Sequence, residues 1–221
     1  MSELLGPGPH TRVRRLPEKA RYDEATIFSI LDEARMCHVA AVLEGRAVAL
    51  PTLHARQGRR LYLHGSRSNA VLAALLAEGR AWVTATIYDG LRLARSGFES
   101  SIAYRSVALE GPAREVVDEG EKRRVLDYFV DAVLPGRARE VRPMSDRELR
   151  LTSVIEVVIE EASAKVSEGP TDDDADDQQL AIWSGVVPAR LVFDEPVPSS
   201  DGAMAAGDIE EPESVRRLRR P

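Results

Sequence analysis

Apolar and polar side chains alternate with a period of two along much of this chain, and a few helix-spaced stretches interrupt the alternation. Asp23 can accept from the free N–H groups of a helix start, and Ala25, Ile27, Ile30, Leu31 and Ala34 then recur at helical spacing through Arg35. Cys37 to Leu43 reads as a strand, Glu44-Gly45-Arg46 as a hairpin turn, and Ala47 to Ala55 as the returning strand. Gln57-Gly58 turns the chain again into a strand from Arg60 to His64. The run SRSNAVLAALLAEG reads as a short helix with a serine cap, closed by Gly79. Trp82 to Ile87 and Tyr104 to Val117 are further strands, the second with a bend or bulge at Gly111-Pro112.

Asp118 caps a helix carrying Val125, Leu126, Phe129, Val130 and Val133, which Leu134-Pro135-Gly136 stops. A short helix spans Ser145 to Leu151. Ser153 to Ile159 is a strand that Ala162 to Val166 extends. This order gives six strands joined mostly by hairpins, with few β-α-β crossovers. It predicts a mainly β fold with flanking helices, an antiparallel barrel rather than a doubly wound parallel sheet.

Two flanks lack this patterning. Residues 1–22 are rich in Pro, Gly and Arg without a period and read as an extended arm. The folded domain is expected over 23–193. Residues 194–221, rich in Pro, Ser, Gly, Ala and Glu, are expected to be a disordered tail. Its terminal arginines could touch a polyanion. The acidic run TDDDADD at 171–177 reads as a solvated loop; without His or Cys beside it, a metal site is the weaker reading.

Composition narrows the function. The 43% hydrophobic content supports a core, and a net charge of −6 gives no global field for nucleic acid. Aromatics at 5% are too few for a base-stacking surface. No stretch has the length of a signal-peptide core or a membrane span, so a cytoplasmic protein is expected. The single Cys37, among apolar neighbours, fits a reducing compartment and a buried, inert thiol.

Three segments carry candidate chemistry. At His64-Gly65-Ser66-Arg67-Ser68-Asn69 a strand ends, a glycine permits close approach, and hydroxyls with one arginine open a helix. That is an anion cradle or an ordinary helix cap. Between Asp89 and Gly111, Arg92, Arg95, Tyr104, Arg105 and Ser106 crowd a short run. They form a ligand wall, or a surface loop whose arginines pair with Glu99 and Glu110. Lys165 and Trp183 either cover a ring system or anchor the C-terminal segment. There is no G-x-G-x-x-G, P-loop, H-E-x-x-H, paired-Cys or G-x-S-x-G motif.

The segments CHVA (37–40), LPT (50–52), LYLHGS (61–66), DGLRLARS (89–96), YRSV (104–107), PGRA (135–138), SAKV (163–166) and WSGVVP (183–188) occur in one order. Together they resemble the pyridoxamine 5'-phosphate oxidase-like flavin-binding proteins, in the group that holds the nitroimidazole-resistance proteins, over residues 12 to about 191. The resemblance implies a six-stranded split β-barrel that forms a homodimer with FMN in clefts between the subunits. It implies phosphate at Ser66 to Asn69 and the ring near Leu50, Pro51, Thr52 and His64. Tyr104, Arg105, Ser106, Lys165 and Trp183 would complete the pocket, and His64 would sit at the reactive centre. Asn69 stands where many relatives carry Arg, and Ala103 where they often carry Asn. The implied activity is an FMN-dependent oxidoreductase acting on a small nitroaromatic or pyridoxine-like molecule, without nucleic acid or membrane as partner. The alternatives are a non-catalytic flavin or haem carrier or sensor, with His64 or His38 as axial ligand, and a structural homodimer that has lost its cofactor.

Overall fold

The computed structural model describes residues 5–199 and 209–218. Within them the chain forms ten strands and five α-helices: β1 (Ala20–Arg21), α1 (Glu24–Glu33), β2 (Cys37–Leu43), β3 (Arg46–Thr52), β4 (His54–Gln57), β5 (Arg60–Ser66), α2 (Ala70–Glu78), β6 (Arg80–Leu93), β7 (Ser101–Glu115), α3 (Glu119–Val133), α4 (Asp146–Leu151), β8 (Thr152–Val158), β9 (Glu161–Ser167), β10 (Gly185–Pro188) and α5 (Glu213–Arg217).

Hydrogen bonds order the strands β3-β2-β6-β7-β8-β5-β4. β3 and β4 lie at opposite ends of this path, yet Leu53 alone separates them in sequence, so they are one bent strand that brings the circuit back on itself. Counted that way, six strands make the split barrel. The expected single strand from Ala47 to Ala55 is thus broken at Leu53, where the chain passes from one sheet edge to the other.

Every pairing is antiparallel, as hairpin links dictate. The β2–β3 hairpin turns through Glu44 and Gly45, with φ of 51° and 75°, the left-handed pair that suits a two-residue turn. β7 pairs with β9 from Tyr104 to Glu110, then transfers to β8 from Ala113 to Glu115. Gly111 sits at the transfer point, where a Cβ would lie 1.7 Å from the carbonyl oxygen of Val158. The bend read from Gly111-Pro112 is this change of partner. Residues 162–166 do not extend β8. They form a separate strand, β9, because the chain reverses at Ile159 and Glu160, whose amides bond Arg59 and Glu110 carbonyls.

Two apolar clusters result. The barrel interior gathers Ile27, Ile30 and Leu31 of α1, Leu72 and Leu75 of α2, and inward residues such as Val39, Leu61, Val83, Val107 and Ile155. Cys37 is buried there, and desolvation pushes its thiol up to about 12, which keeps it a neutral thiol. The second cluster packs Val125, Leu126 and Phe129 of α3 and Leu149 of α4 against Tyr62 and Val154, on the opposite face of β5 and β8. Asp23 and Asp118 cap α1 and α3 as their sequences predict. Helix α2 is capped by Asn69, whose side-chain oxygen accepts from the amides of Val71 and Leu72, and not by a serine. The amide-bearing side chain lies one turn closer to those donors than Ser66 does.

The arm and the tail are both partly docked. Leu5 and Thr11 are buried, and Leu5 bridges the backbones of Tyr22 and Ala162. Within the tail expected to be disordered, α5 carries a buried Ser214, whose amide donates to Glu140 at 3.0 Å and whose hydroxyl donates to the same carboxylate. The terminal Arg219 and Arg220 lie outside the described residues.

Candidate functional site

The β5–α2 junction holds the first group of candidate residues. β5 ends at Gly65 and Ser66, and a Cβ on Gly65 would sit 3.0 Å from the Leu72 side chain, so α2 packs tightly against this strand end. Ser66 and Ser68 share a hydroxyl–hydroxyl bond of 2.8 Å. Several backbone donors are already used here: Arg67 N–H bonds Leu151 O, and Asn69 N–H bonds Ser66 O. The remaining anion-binding capacity therefore resides in side chains. Arg67 is exposed, and its guanidinium makes no ion pair among the described residues. Lys122 of α3 adds a second cation, which the sequence reading did not include. It is buried, and its pKa is pushed down first by desolvation and then by the nearby Arg67. Glu115, which accepts from Ser153, lines the same cavity and, with Glu119, partly offsets that repulsion, so the two cations and two hydroxyls suited to a phosphate share the site with a carboxylate.

His64 lies one residue before this junction. Its ring meets Phe129 edge-on at 4.4 Å, and its Nδ1 is buried without a partner. Burial lowers its pKa, so the imidazole is neutral at physiological pH. Leu50 and Thr52 pair across from the buried Val39 and Cys37 on the edge strand β3, and Pro51 pairs with the exposed His38 on the other face.

The second group lies on another face. Ser106 pairs with Thr86 and Lys165, and Tyr104 with Tyr88 and Ser167. By strand alternation they point away from the barrel interior that Val107 and Ala164 enter. Trp183 is 66% exposed and packs over its own Gly185 at the start of β10. Among the described cavities none is lined by both groups.

The arginines of the 89–105 run are committed elsewhere. Arg105 projects to the barrel side and is held by two carboxylates at once: Asp89 at 2.9 and 2.7 Å, and Glu33 at 2.6 and 2.7 Å. The paired guanidinium in turn holds Glu33 below the ordinary carboxylate range. Arg92 is buried against Ser167, the carbonyl of Pro170 and Asp172, and Arg95 binds Asp173 through its amide and its guanidinium. The partners are therefore not Glu99 and Glu110; Glu110 takes Arg80. The acidic run is likewise not simply solvated, since its second and third residues clamp the β6–β7 hairpin. No group of metal-ligating side chains occurs among the described residues.

The same hairpin explains the segments DGLRLARS and WSGVVP. They are β6 and β10, paired from Gly185 with Leu93 to Pro188 with Gly90. Gly90, at φ 142°, lies 2.2 Å from the Val187 carbonyl at the position its Cβ would take, so the close seating of β10 requires glycine. The sequence reading also passed over His54, a buried histidine that opens β4 just after the break at Leu53. Only its rarity, one of four histidines, marked it.

Comparison with known proteins agrees with this architecture. The chain is 35% identical to the flavocytochrome Anf3 from Azotobacter vinelandii, covering 96% of this chain and 97% of that one with a TM-score of 0.89. It is 35% identical to a FAD and haem binding protein from Mycobacterium smegmatis over 90% and 97% of the two chains, with a TM-score of 0.84. A putative 5-nitroimidazole antibiotic resistance protein from Bacteroides thetaiotaomicron shares the fold, at 24% identity over 66% and 86% and a TM-score of 0.57. No curated protein matches. The sequence pattern of the pyridoxamine 5'-phosphate oxidase family matches residues 23–166, the segment that builds the split barrel, and the chain belongs to that family.

Proposed function

We propose that this protein binds a flavin and a haem and works as a redox protein. The observation that carries the reading is the likeness, at 35% identity and over nearly the whole of both chains, to a flavocytochrome and to a FAD and haem binding protein. A likeness of that length includes the arm, the acidic clamp and β10, which lie outside the family segment.

The residues present fit a flavin. Arg67, Lys122, Ser66 and Ser68 would take its phosphate, and Asn69 would shape the turn as the α2 cap without contributing charge. Leu50, Pro51, Thr52, His64 and Gly65 would border the ring. Tyr104, Ser106, Lys165 and Trp183 sit on a different face, so a single cleft that uses both groups requires a second copy of the chain. This geometry supports a homodimer with two clefts. Arg105 serves as the lock between α1 and the β6–β7 hairpin. When bound, the flavin supplies hydride or electron transfer and the haem iron supplies one-electron chemistry. The protein binds and orients them. His64, neutral and with an unpartnered ring nitrogen, would either border the flavin or hold the haem iron, and His38 on the exposed sheet face is the second candidate ligand. FMN follows from the sequence resemblance, and FAD from the mycobacterial protein. A small nitroaromatic or pyridoxine-like substrate rests on the sequence resemblance alone. No helix among the described residues is long and apolar enough to cross a membrane. A cytoplasmic location is in keeping with the lone buried thiol.

The test is the visible spectrum of the freshly purified protein, followed by mass spectrometry of what it releases. Flavin bands with a Soret band are expected. A colourless protein that takes up neither added flavin nor added hemin overturns the reading.

A further inference from the structure

The turn that closes the β6–β7 hairpin displays Phe98, which is 93% exposed, more than any other Phe, Tyr or Trp among the described residues. The turn itself is pinned. Glu99 N–H donates to Ser96 Oγ at 3.2 Å, Ser100 Oγ donates to the Ser96 carbonyl at 2.9 Å, and Ala94 N–H donates to Ser100 Oγ at 3.1 Å. Asp173 accepts from the Arg95 amide at 2.6 Å and from its guanidinium at 2.8 Å. An ordered turn therefore holds an apolar ring out in water, where its own chain gives it nothing to pack against. Aromatic anchors carry much of the binding energy of protein interfaces, and a turn already fixed loses less entropy on docking.

Behind the tip, one face of the hairpin is apolar. Leu91 pairs with Ile102 on one side and with Val187 of β10 on the other, and Tyr88 pairs with Tyr104, two residues from Ile102 on the same strand. Directly opposed strand residues share a face. Leu91, Ile102, Val187 and Tyr88 are each 40–49% exposed. A water-facing side of an antiparallel sheet ordinarily carries polar residues. Arg92, paired with Ser101, takes the reverse face, which Pro170 and Asp172 cover. The apolar face has no such cover from its own chain. Thr86 and Ser106 continue it, and no charged side chain stands at any of these positions, in a chain that is 30% charged. Depletion of charge is the mark of an interface core.

From this geometry we infer that the outer face of the β6–β7 hairpin, with Phe98 as its anchor, docks on a second copy of the chain. The choice of partner rests on the flavin reading above: Tyr104 and Ser106 lie on this same face, and they join His64 and Leu50 to Thr52 in one cleft only across a subunit boundary. Charge points the same way. At a net charge of −6, two copies repel over most of their surfaces, whereas the uncharged face lets them meet without like-charge conflict. It also offers no charge pattern that would select a charged partner. In a two-fold pair one patch serves both copies, so the hairpin of each extends past Tyr104 and seats its Phe98 on the body of the other.

The experiment is fluorescence-detected sedimentation of the full-length protein, as purified, across a dilution series, beside Phe98→Ser and Ile102→Lys. The unaltered protein is expected to be a dimer. Phe98→Ser alters a side chain that its own chain does not bury, so the far-ultraviolet circular dichroism should stay unchanged. The dimer dissociation constant should rise roughly thirtyfold, the smallest effect that marks an interface hot spot. Ile102→Lys brings a charge onto the face of each copy and should also dissociate the pair. A monomeric unaltered protein overturns the inference, and so does a dimer whose dissociation constant Phe98→Ser leaves within about twofold. The visible spectrum of the same samples separates this inference from the reading it rests on. A coloured dimer indifferent to both substitutions overturns the docking face and leaves the flavin reading intact. A colourless dimer that takes up no flavin and that Phe98→Ser dissociates upholds the docking face and overturns the flavin reading.

Discussion

Arg67 is the cation on which flavin binding should depend most measurably. It sits at the entry to α2, exposed, with no ion pair to give up, beside the hydrogen-bonded hydroxyls of Ser66 and Ser68. Arg67→Gln removes the charge and keeps a polar side chain of similar reach. A charge-assisted hydrogen bond contributes about 1.5–3 kcal/mol, and the exposure of Arg67 places it near the lower end. Lys122 and the two hydroxyls remain. The expected loss is therefore about 1.5 kcal/mol, or roughly tenfold in Kd. The assay is a fluorescence-quenching titration of cofactor-stripped protein with FMN and, separately, with riboflavin, which has the same ring without phosphate. FMN affinity should fall roughly tenfold and riboflavin affinity should stay within about twofold. An equal loss for both flavins would show that the substitution disturbs the ring site. No loss for FMN would show that the phosphate lies elsewhere. Either result refutes the cradle. Lowering the ionic strength should widen the FMN gap, since an exposed charge is screened by salt.

Gly111→Ala places a methyl group against the Val158 carbonyl where β7 changes partner, and it should lower unfolding free energy by about 3 kcal/mol, read from the urea midpoint. Arg105→Met leaves Asp89 and Glu33 facing each other without their counter-charge; a loss of about 1–2 kcal/mol is expected, with flavin affinity unchanged within about twofold. The same lock predicts a pH response. Glu33 has a folded pKa below its unfolded one, so its stabilisation is complete above the unfolded value and disappears as pH falls through the folded value. Thermal melts in acid should show a drop for the unaltered protein that Arg105→Met lacks. His64→Ala should remove the Soret band and leave the flavin bands. A Soret band that survives in both His64→Ala and His38→Ala excludes those histidines as ligands.

The fold was legible because its determinants are local. Alternation marks strands whichever sheet they join, Glu44-Gly45 marks a hairpin by its left-handed pair, and Asp23 and Asp118 mark helix starts by their side-chain oxygens. The misread details are those set by distant neighbours. Nothing near Leu53 in sequence tells that β3 leaves one sheet edge there and β4 joins the other. Nothing in the chain from 162 to 166 tells that β7 is waiting on one side and β1 on the other.

Charge was harder to read than pattern, for the same reason carried one step further. The crowding of Arg92, Arg95 and Arg105 looked like anion-binding capacity because, Asp89 apart, their carboxylates are far away in sequence. Asp172 and Asp173 come from a run that, taken alone, reads as solvated, and Glu33 comes from the last turn of α1. Each feature seemed to call for an external partner, and the fold supplies each with the other. The residues that stay available for chemistry can be found only after this internal pairing is complete. By that criterion the arginine-rich run recedes into structure. Arg67 stands out because it has no ion pair among the described residues and lies beside the hydroxyls of Ser66 and Ser68 at the start of α2. Lys122 is a buried cation whose desolvation and neighbouring Arg67 outweigh the attraction of Glu115 and Glu119. His54 and His64 each hold a buried ring nitrogen without a partner, whereas Arg92 and Arg95, whose Nε atoms are likewise unpartnered, are engaged through their other nitrogens. Unmet demand inside the folded chain, more than density of charge along the sequence, is what marks the places where this protein meets other molecules.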